Sequence, residues 1–171
     1  MEVRALCRDD ADAYRHARLR ALAEDGWAFG ADLATEASFD IDTWRSRVTP
    51  DDGLTLGAID NAAIVGMCTV IPSGRGVMLG DVADIDGAWI VAMWIANEYR
   101  STGLADEVIT IAIRWSEEVG HRWLGLHVTE GNDRAVRLYE RHGFTALDEG
   151  YVRSSDGAFE RRMRRMAPPA V

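Results

Sequence analysis

The residues Asn97-Glu98-Tyr99-Arg100-Ser101-Thr102-Gly103-Leu104-Ala105 stand between an apolar run and a long amphipathic one. A helix that opens here leaves several backbone N–H groups without an intrahelical carbonyl. With the positive end of the helix dipole, those donors form a place for an anion. Ser101, Gly103 and Ala105 are small enough to let a phosphate approach the backbone, and Arg100 adds a positive charge. The same residues also fit a plain strand-to-helix turn in which Gly103 serves packing. Two other phosphate sites are excluded. The three-glycine spacing of a dinucleotide fingerprint is missing, and no lysine exists to complete a Walker turn. Schiff-base chemistry is excluded for the same reason.

Some thirty residues on, Asn132-Asp133-Arg134-Ala135-Val136-Arg137-Leu138-Tyr139-Glu140-Arg141-His142-Gly143-Phe144 sets an asparagine at a helix start, a Leu-Tyr pair within it and Gly-Phe at its exit. Groups able to take a proton are scattered around these two stretches. Asp84 and Asp86 precede the apolar run, Glu98 follows it, and His127 lies on a neighbouring strand. An imidazole titrates in the useful range, but a strand histidine is more often structural and a loop carboxylate more often solvated.

The elements that must position these residues are legible from periodicity. A first strand is expected at 3–7, then a helix capped by Asp9 or Asp10 and running to about Glu24, before Gly26. A second helix is expected over 40–48, with Trp44 as its anchor. Residues 54–59 and 64–71 read as a hairpin around Asp60-Asn61. Residues 72–86 carry glycines and the acids Asp81, Asp84 and Asp86, with Val77-Met78-Leu79 as a short strand extension. Residues 88–95 are apolar at nearly every position, which predicts a central strand buried on both faces with Trp89 and Trp94 on opposite sides. Residues 103–119 form the clearest helix, its stripe being Leu104, Val108, Ile111, Ala112, Trp115 and Val119. A strand at 123–128, a helix from Asn132 or Asp133 to about His142, and strands at 144–148 and 158–166 complete a mixed α/β sheet.

Composition bounds the rest. The chain has 171 residues, 47% of them hydrophobic and 27% charged, enough for one domain with a core of its own. One domain over 1–166 and a flexible tail over 167–171 are expected. All 19 basic residues are arginine, against 28 acids, for a net charge of −9. That balance argues against nucleic-acid binding. It fits a cationic or amine-bearing partner, although acidity is more often a solubility feature than a substrate signal. Cys7 and Cys68 have no metal-ligand spacing, no metal is expected, and both thiols read as buried and reduced. No apolar run is long enough to span a membrane, and the N-terminus has no signal-peptide core, so a cytoplasmic protein is expected, monomeric or homodimeric.

Arg100-x-x-Gly103-x-Ala105 after an apolar strand, followed by Asn132-x-x-Ala135-x-x-Leu138-Tyr139-x-x-x-Gly143-Phe144, resembles the GNAT superfamily of acyl-CoA-dependent N-acyltransferases. The element order agrees over essentially the whole chain. Residues 17–25 resemble a bacterial subset of it. The resemblance implies a mostly antiparallel sheet splayed at its central strands and flanked by about four helices. It implies acetyl-CoA as acyl donor and an amine as acceptor, small molecule or peptide, joined by direct attack in a ternary complex. Pyrophosphate would sit on the N–H groups of Arg100, Ser101, Thr102, Gly103, Leu104 and Ala105. Pantetheine would pair with the backbone of Met93, Trp94 and Ile95, and contact Asn132, Ala135, Leu138 and Tyr139. A backbone N–H of Trp94 or Ile95 would hold the oxyanion, and Tyr139 would be the general acid. The general base is open among Asp84, Asp86, Glu98 and His127. Members often carry Gly and Arg where this chain has Ser101 and Thr102, which removes one phosphate contact. The alternative is an acyl-CoA-binding sensor or regulatory module that does not turn over.

Overall fold

The structure, a computed structural model, describes residues 1–74, 86–153 and 155–169. Glu2–Ala5 (β1) leads to Ala11–Asp25 (α1). Asp10 occupies the cap position of α1, but its carboxylate does not cap. It accepts both Arg4 Nη atoms at 2.8 Å and the Cys7 N–H at 2.8 Å, because a guanidinium fork is the stronger donor. Leu33–Ala37 (α2) is a single turn with no periodic signal, and was not expected. Its purpose is visible in Glu36, which is buried and bonded to Arg18 at 2.9 and 3.1 Å and to Arg47 at 2.9 Å. Ile41–Val48 (α3) is capped by Asp40, which accepts the Thr43 N–H at 2.7 Å. Trp44 is fully buried and meets Tyr14 of α1 edge-on at 6.1 Å. Truncating a side chain so placed costs on the order of 3–5 kcal/mol.

Leu54–Asp60 (β2) and Ala63–Pro72 (β3) form the hairpin. Asn61 and Ala62 take φ of 48° and 66°, the left-handed pair that a two-residue turn needs to match the twist of its strands. Gly87–Ile95 (β4) pairs antiparallel with β3. Leu104–Glu118 (α4) crosses over to Trp123–Thr129 (β5), which lies parallel to β4. Asp133–Arg141 (α5), Thr145–Val152 (β6) and Phe159–Met166 (β7) follow, and β7 inserts between β5 and β6. The sheet order is β1-β2-β3-β4-β5-β7-β6, with one parallel pair. The buried face of α4 is Leu104, Val108, Ile109, Ala112, Ile113 and Ser116. It is rotated from the expected stripe, since Val119 falls past the last turn and is exposed. Val77-Met78-Leu79, Asp81 and Asp84 lie outside the described residues. Cys68 is buried as expected, whereas Cys7 is exposed.

Two irregularities in β4 shape everything that follows. Met67 to Thr69 of β3 faces Val91 to Trp94 of β4, two steps against three, and Ala92 takes φ 54°. This is a β-bulge, which bends the strand and shifts its facing pattern by one residue. Trp89, Val91 and Trp94 therefore pair with Ile71, Thr69 and Met67, alternate residues of β3. Both tryptophans lie on one face, not on opposite faces as strict alternation predicts. The second irregularity is that β4 and β5 pair only from Gly87↔Trp123 to Ile90↔Leu126, although both strands run on. Residues 91–93 are accordingly half-buried rather than buried on both faces.

Candidate active site

The splay between β4 and β5 opens a cavity of about 700 Å³. Val91 to Ile95 form one wall and Leu126 to Thr129 the other. The turn before α4, the first turns of α5, and residues 25 and 27–29 complete its lining. Ala96 donates its N–H to Val65 of β3 at 2.8 Å. By the alternation of a strand, the N–H of Trp94 also points to β3, while those of Met93 and Ile95 point into the gap. Ile95 is therefore the better placed of the two expected oxyanion donors.

At the turn, Glu107 is the first residue of the helix to close on a carbonyl, that of Gly103 at 3.1 Å. Among the described residues no backbone carbonyl receives the N–H groups of Ser101 to Ala105. Arg100 differs, since its N–H donates to Asn97 at 3.2 Å. Its side chain turns back to donate to the Ile95 carbonyl at 2.9 Å and to Asp25. Asp25, the last residue of α1, also accepts the Trp94 indole N–H at 2.9 Å. Thr102 closes onto the Tyr99 carbonyl at 2.7 Å. Ser101 takes φ 67° and Gly103 φ 91°. Consecutive amides in such a turn form a concave anion nest. The left-handed backbone at 101 is a physical reason for glycine there in related sequences. A Cβ built on Gly103 would meet nothing within 4 Å, so the space above the nest is open to a ligand.

Asn132 begins α5, its Oδ1 accepting the Ala135 N–H at 3.3 Å, which leaves its amide NH₂ for other partners. Ala135, Leu138 and Tyr139 line the cavity. Tyr139 is buried with its ring edge-on to Phe144 at 5.8 Å. Burial, and then the nearby Cys68 thiol, push its phenol above the usual tyrosine range, so it stays protonated. Arg134 and Arg137 were not among the expected site residues. Both line the cavity, both are exposed, and neither has an ion-pair partner among the described residues. Their i, i+3 spacing on a helix that opens at Asn132 was the available signal. Asp25 had none, being 75 residues from Arg100.

The base candidates are spread apart. Asp84 lies outside the described residues. Asp86 is exposed, faces Arg122 at 3.7 Å and does not line the cavity. Glu98 is held by Arg20 at 2.9 Å, which lowers its pKa, and is also outside the cavity. His127 does line it. Its ring stacks on Trp89 at 5.0 Å, and its Nε2 accepts from Arg162 Nε at 3.4 Å. With Nε2 an acceptor, the neutral ring carries its proton on Nδ1, which is buried without a partner. Burial, opposed by Glu160 and aided by Arg162, pushes this imidazole down to about 4. Neither ring nitrogen offers the cavity a free lone pair.

Among the described residues no group of three or more His, Cys, Asp or Glu is placed to hold a metal, and no helix is long and apolar enough to cross a membrane. An anion nest and an unpaired strand edge share a cavity that two guanidiniums without ion-pair partners among the described residues also line, an arrangement that suits an extended anionic ligand. Residues 16–144 match the acetyltransferase (GNAT) family, and the chain belongs to it. The N-acetyltransferase YobR of Bacillus subtilis is 33% identical over 76 residues, which are 44% of this chain and 31% of that protein. The chain spans well under half the length of the curated relatives it matches. A GNAT-family acetyltransferase of Streptococcus pneumoniae superposes with a TM-score of 0.79 at 20% identity, over 98% of this chain and 99% of that one. A putative acetyltransferase of Salmonella typhimurium, solved with its cofactor acetyl-CoA, superposes with a TM-score of 0.76 at 15% identity, over 100% of this chain and 99% of that one.

Proposed function

We propose that the chain transfers an acetyl group from acetyl-CoA to a primary amine by direct attack within a ternary complex. The observation that carries this is the unpaired edge of β4 at 91–95, which leads from the anion nest into the cavity. Acetyl-CoA supplies an activated thioester carbonyl. The N–H groups of Ser101 to Ala105 hold its pyrophosphate, with Arg134 and Arg137 beside them. The Met93 backbone pairs with its amide-bearing arm, and the Asn132 NH₂ adds a third polar contact.

The Ile95 N–H is fixed in the strand, so it stabilises the oxyanion without reorganising. Tyr139 donates to sulfur as charge builds there. The free thiol range is near ~8.5, below a phenol, but both groups share one desolvated cavity, which raises the thiol as well. Of the four base candidates only His127 lines the cavity among the described residues, and its Nε2 already accepts from Arg162, so in this reading the acceptor loses its proton to water. A protonated amine is not a nucleophile, and rates rise with pH toward the amine's own pKa.

Acetyl-CoA binding by calorimetry, followed by mass spectrometry of a broad amine panel, tests the proposal. Gly103→Val would strain a backbone at φ 91° and fill the open space above the nest. It is expected to weaken acetyl-CoA binding by more than about tenfold in a folded protein. Binding without acetylation of any amine would leave the non-catalytic acyl-CoA-binding module as the reading.

A further inference from the structure

The charged groups along the cavity differ in what they already hold. Arg134 and Arg137 have no ion-pair partner among the described residues, as suits a phosphate-bearing ligand. Around residues 25–29 the charges are already matched within the protein. Asp25 is held by Trp94 and Arg100. Next to Thr129 and Tyr151, Glu160 accepts from Arg153 at 2.7 Å and from Tyr151 at 2.6 Å. His127 is neutral at physiological pH. Trp27, Ala28, Phe29 and Val91 give this part of the lining an apolar and aromatic surface.

Trp27 is 54% exposed although it borders a cavity. Its backbone is nevertheless fixed. The Trp27 carbonyl accepts from Arg153 Nη2 at 3.1 Å, and Arg153 is itself buried and paired with Asp156 and Glu160. The same bond ties the segment after α1 to the turn between β6 and β7.

We propose that Trp27 is a platform that selects the acceptor, and that the acceptor is a compact primary amine on an aromatic or apolar body with no second charge. This rests on the acyl-transfer reading above and names the substrate class of that site. A second charge would lose hydration against a wall with no unpaired countercharge. An aromatic body stacks on the indole and buries area at little entropic cost, since the platform is already held. The acidic stretch before β4 lends no support to a polycation: its described member, Asp86, faces Arg122 away from the cavity.

The test compares 2-phenylethylamine, spermidine and an alanine-initiated pentapeptide at saturating acetyl-CoA, by thiol release and mass spectrometry. The expected kcat/KM for 2-phenylethylamine is at least ~10-fold above either rival. Trp27→Ala, which removes an exposed ring, is expected to raise KM for that amine at least ~10-fold, the effect falling on KM rather than kcat. Acetyl-CoA affinity should hold, and Trp27→Tyr should recover most of the loss. A preference for spermidine or the peptide, or an unchanged KM in Trp27→Ala, overturns the proposal. If acetyl-CoA binds but no amine is acetylated, the acyl-transfer reading fails by itself. Calorimetry of 2-phenylethylamine against the CoA-bound protein then decides the platform. Binding that Trp27→Ala abolishes supports it, and no binding to the parent protein overturns it.

Discussion

Replacing Tyr139 by phenylalanine deletes one oxygen and leaves the ring in place against Phe144, 5.8 Å away. Among the described residues no group hydrogen-bonds that hydroxyl, while the residue lines the cavity. The hydroxyl therefore contributes little to stability, because a buried hydroxyl without a protein partner carries a desolvation cost of about 1–3 kcal/mol unless water reaches it. The variant is expected to melt within a few degrees of the parent, at the same temperature or higher. Its kcat is expected to fall roughly 10²-fold, the lower part of the range for a positioned acid, because burial that keeps the phenol protonated also makes it a weaker donor. Acetyl-CoA affinity should be nearly unchanged. Thiol release in single-turnover and steady-state modes reads the chemical step apart from product release. A phenylalanine variant with parental single-turnover rate would refute the acid role and leave water as the proton source. A large loss of melting temperature with the rate preserved would show that the hydroxyl serves the core.

Ser101→Gly should stabilise the protein by about 1 kcal/mol, since glycine relieves a φ of 67° while losing only a small exposed side chain; calorimetric melting measures it. Arg134→Gln combined with Arg137→Gln should raise the Kd of acetyl-CoA by roughly tenfold and flatten its salt dependence. Affinity for acetyl-pantetheine, which lacks the phosphates, should not change. His127 predicts acid sensitivity. Its folded pKa, about 4, lies below the unfolded ~6.5, so the unfolded chain takes up the proton first as pH falls. Stability should be fully present above ~6.5, decline between ~6.5 and ~4 by on the order of 2–3 kcal/mol, and lose nothing more from this group below. His127→Phe should flatten that part of the curve, and denaturant melts across the range read it.

The elements around the site were legible in sequence because each carries a local signature. The run at 88–95, the amphipathic helix over Leu104–Glu118 and the Asn132 cap declare themselves through hydrophobicity, period and a single side chain. The two motifs at 100–105 and 132–144, in that order and at that spacing, were enough for the family, and the turn at 100–105 is a local feature of chain and helix end. The absence of lysine also bounded the chemistry without any structure.

Other properties depend on which distant residues meet. The bulge at Ala92 has no composition that marks it, since alanine rarely takes φ 54°, and it alone brings Trp89 and Trp94 to one face. The opening between β4 and β5 arises because pairing stops at Ile90↔Leu126, a matter of twist and register. Arg100, read as a phosphate ligand, turns instead to Asp25 and the Ile95 carbonyl, and Glu36 is buried only because Arg18 and Arg47 converge on it. The type and strand position of His127 allow both a catalytic and a structural role, and it is Arg162 donating to its Nε2 and burial of its Nδ1 that occupy the ring. Protonation and hydrogen-bond roles are set by desolvation and by neighbours remote in the chain. Sequence determines which groups are present and on which element they ride, and only the folded arrangement decides which of them are free to act.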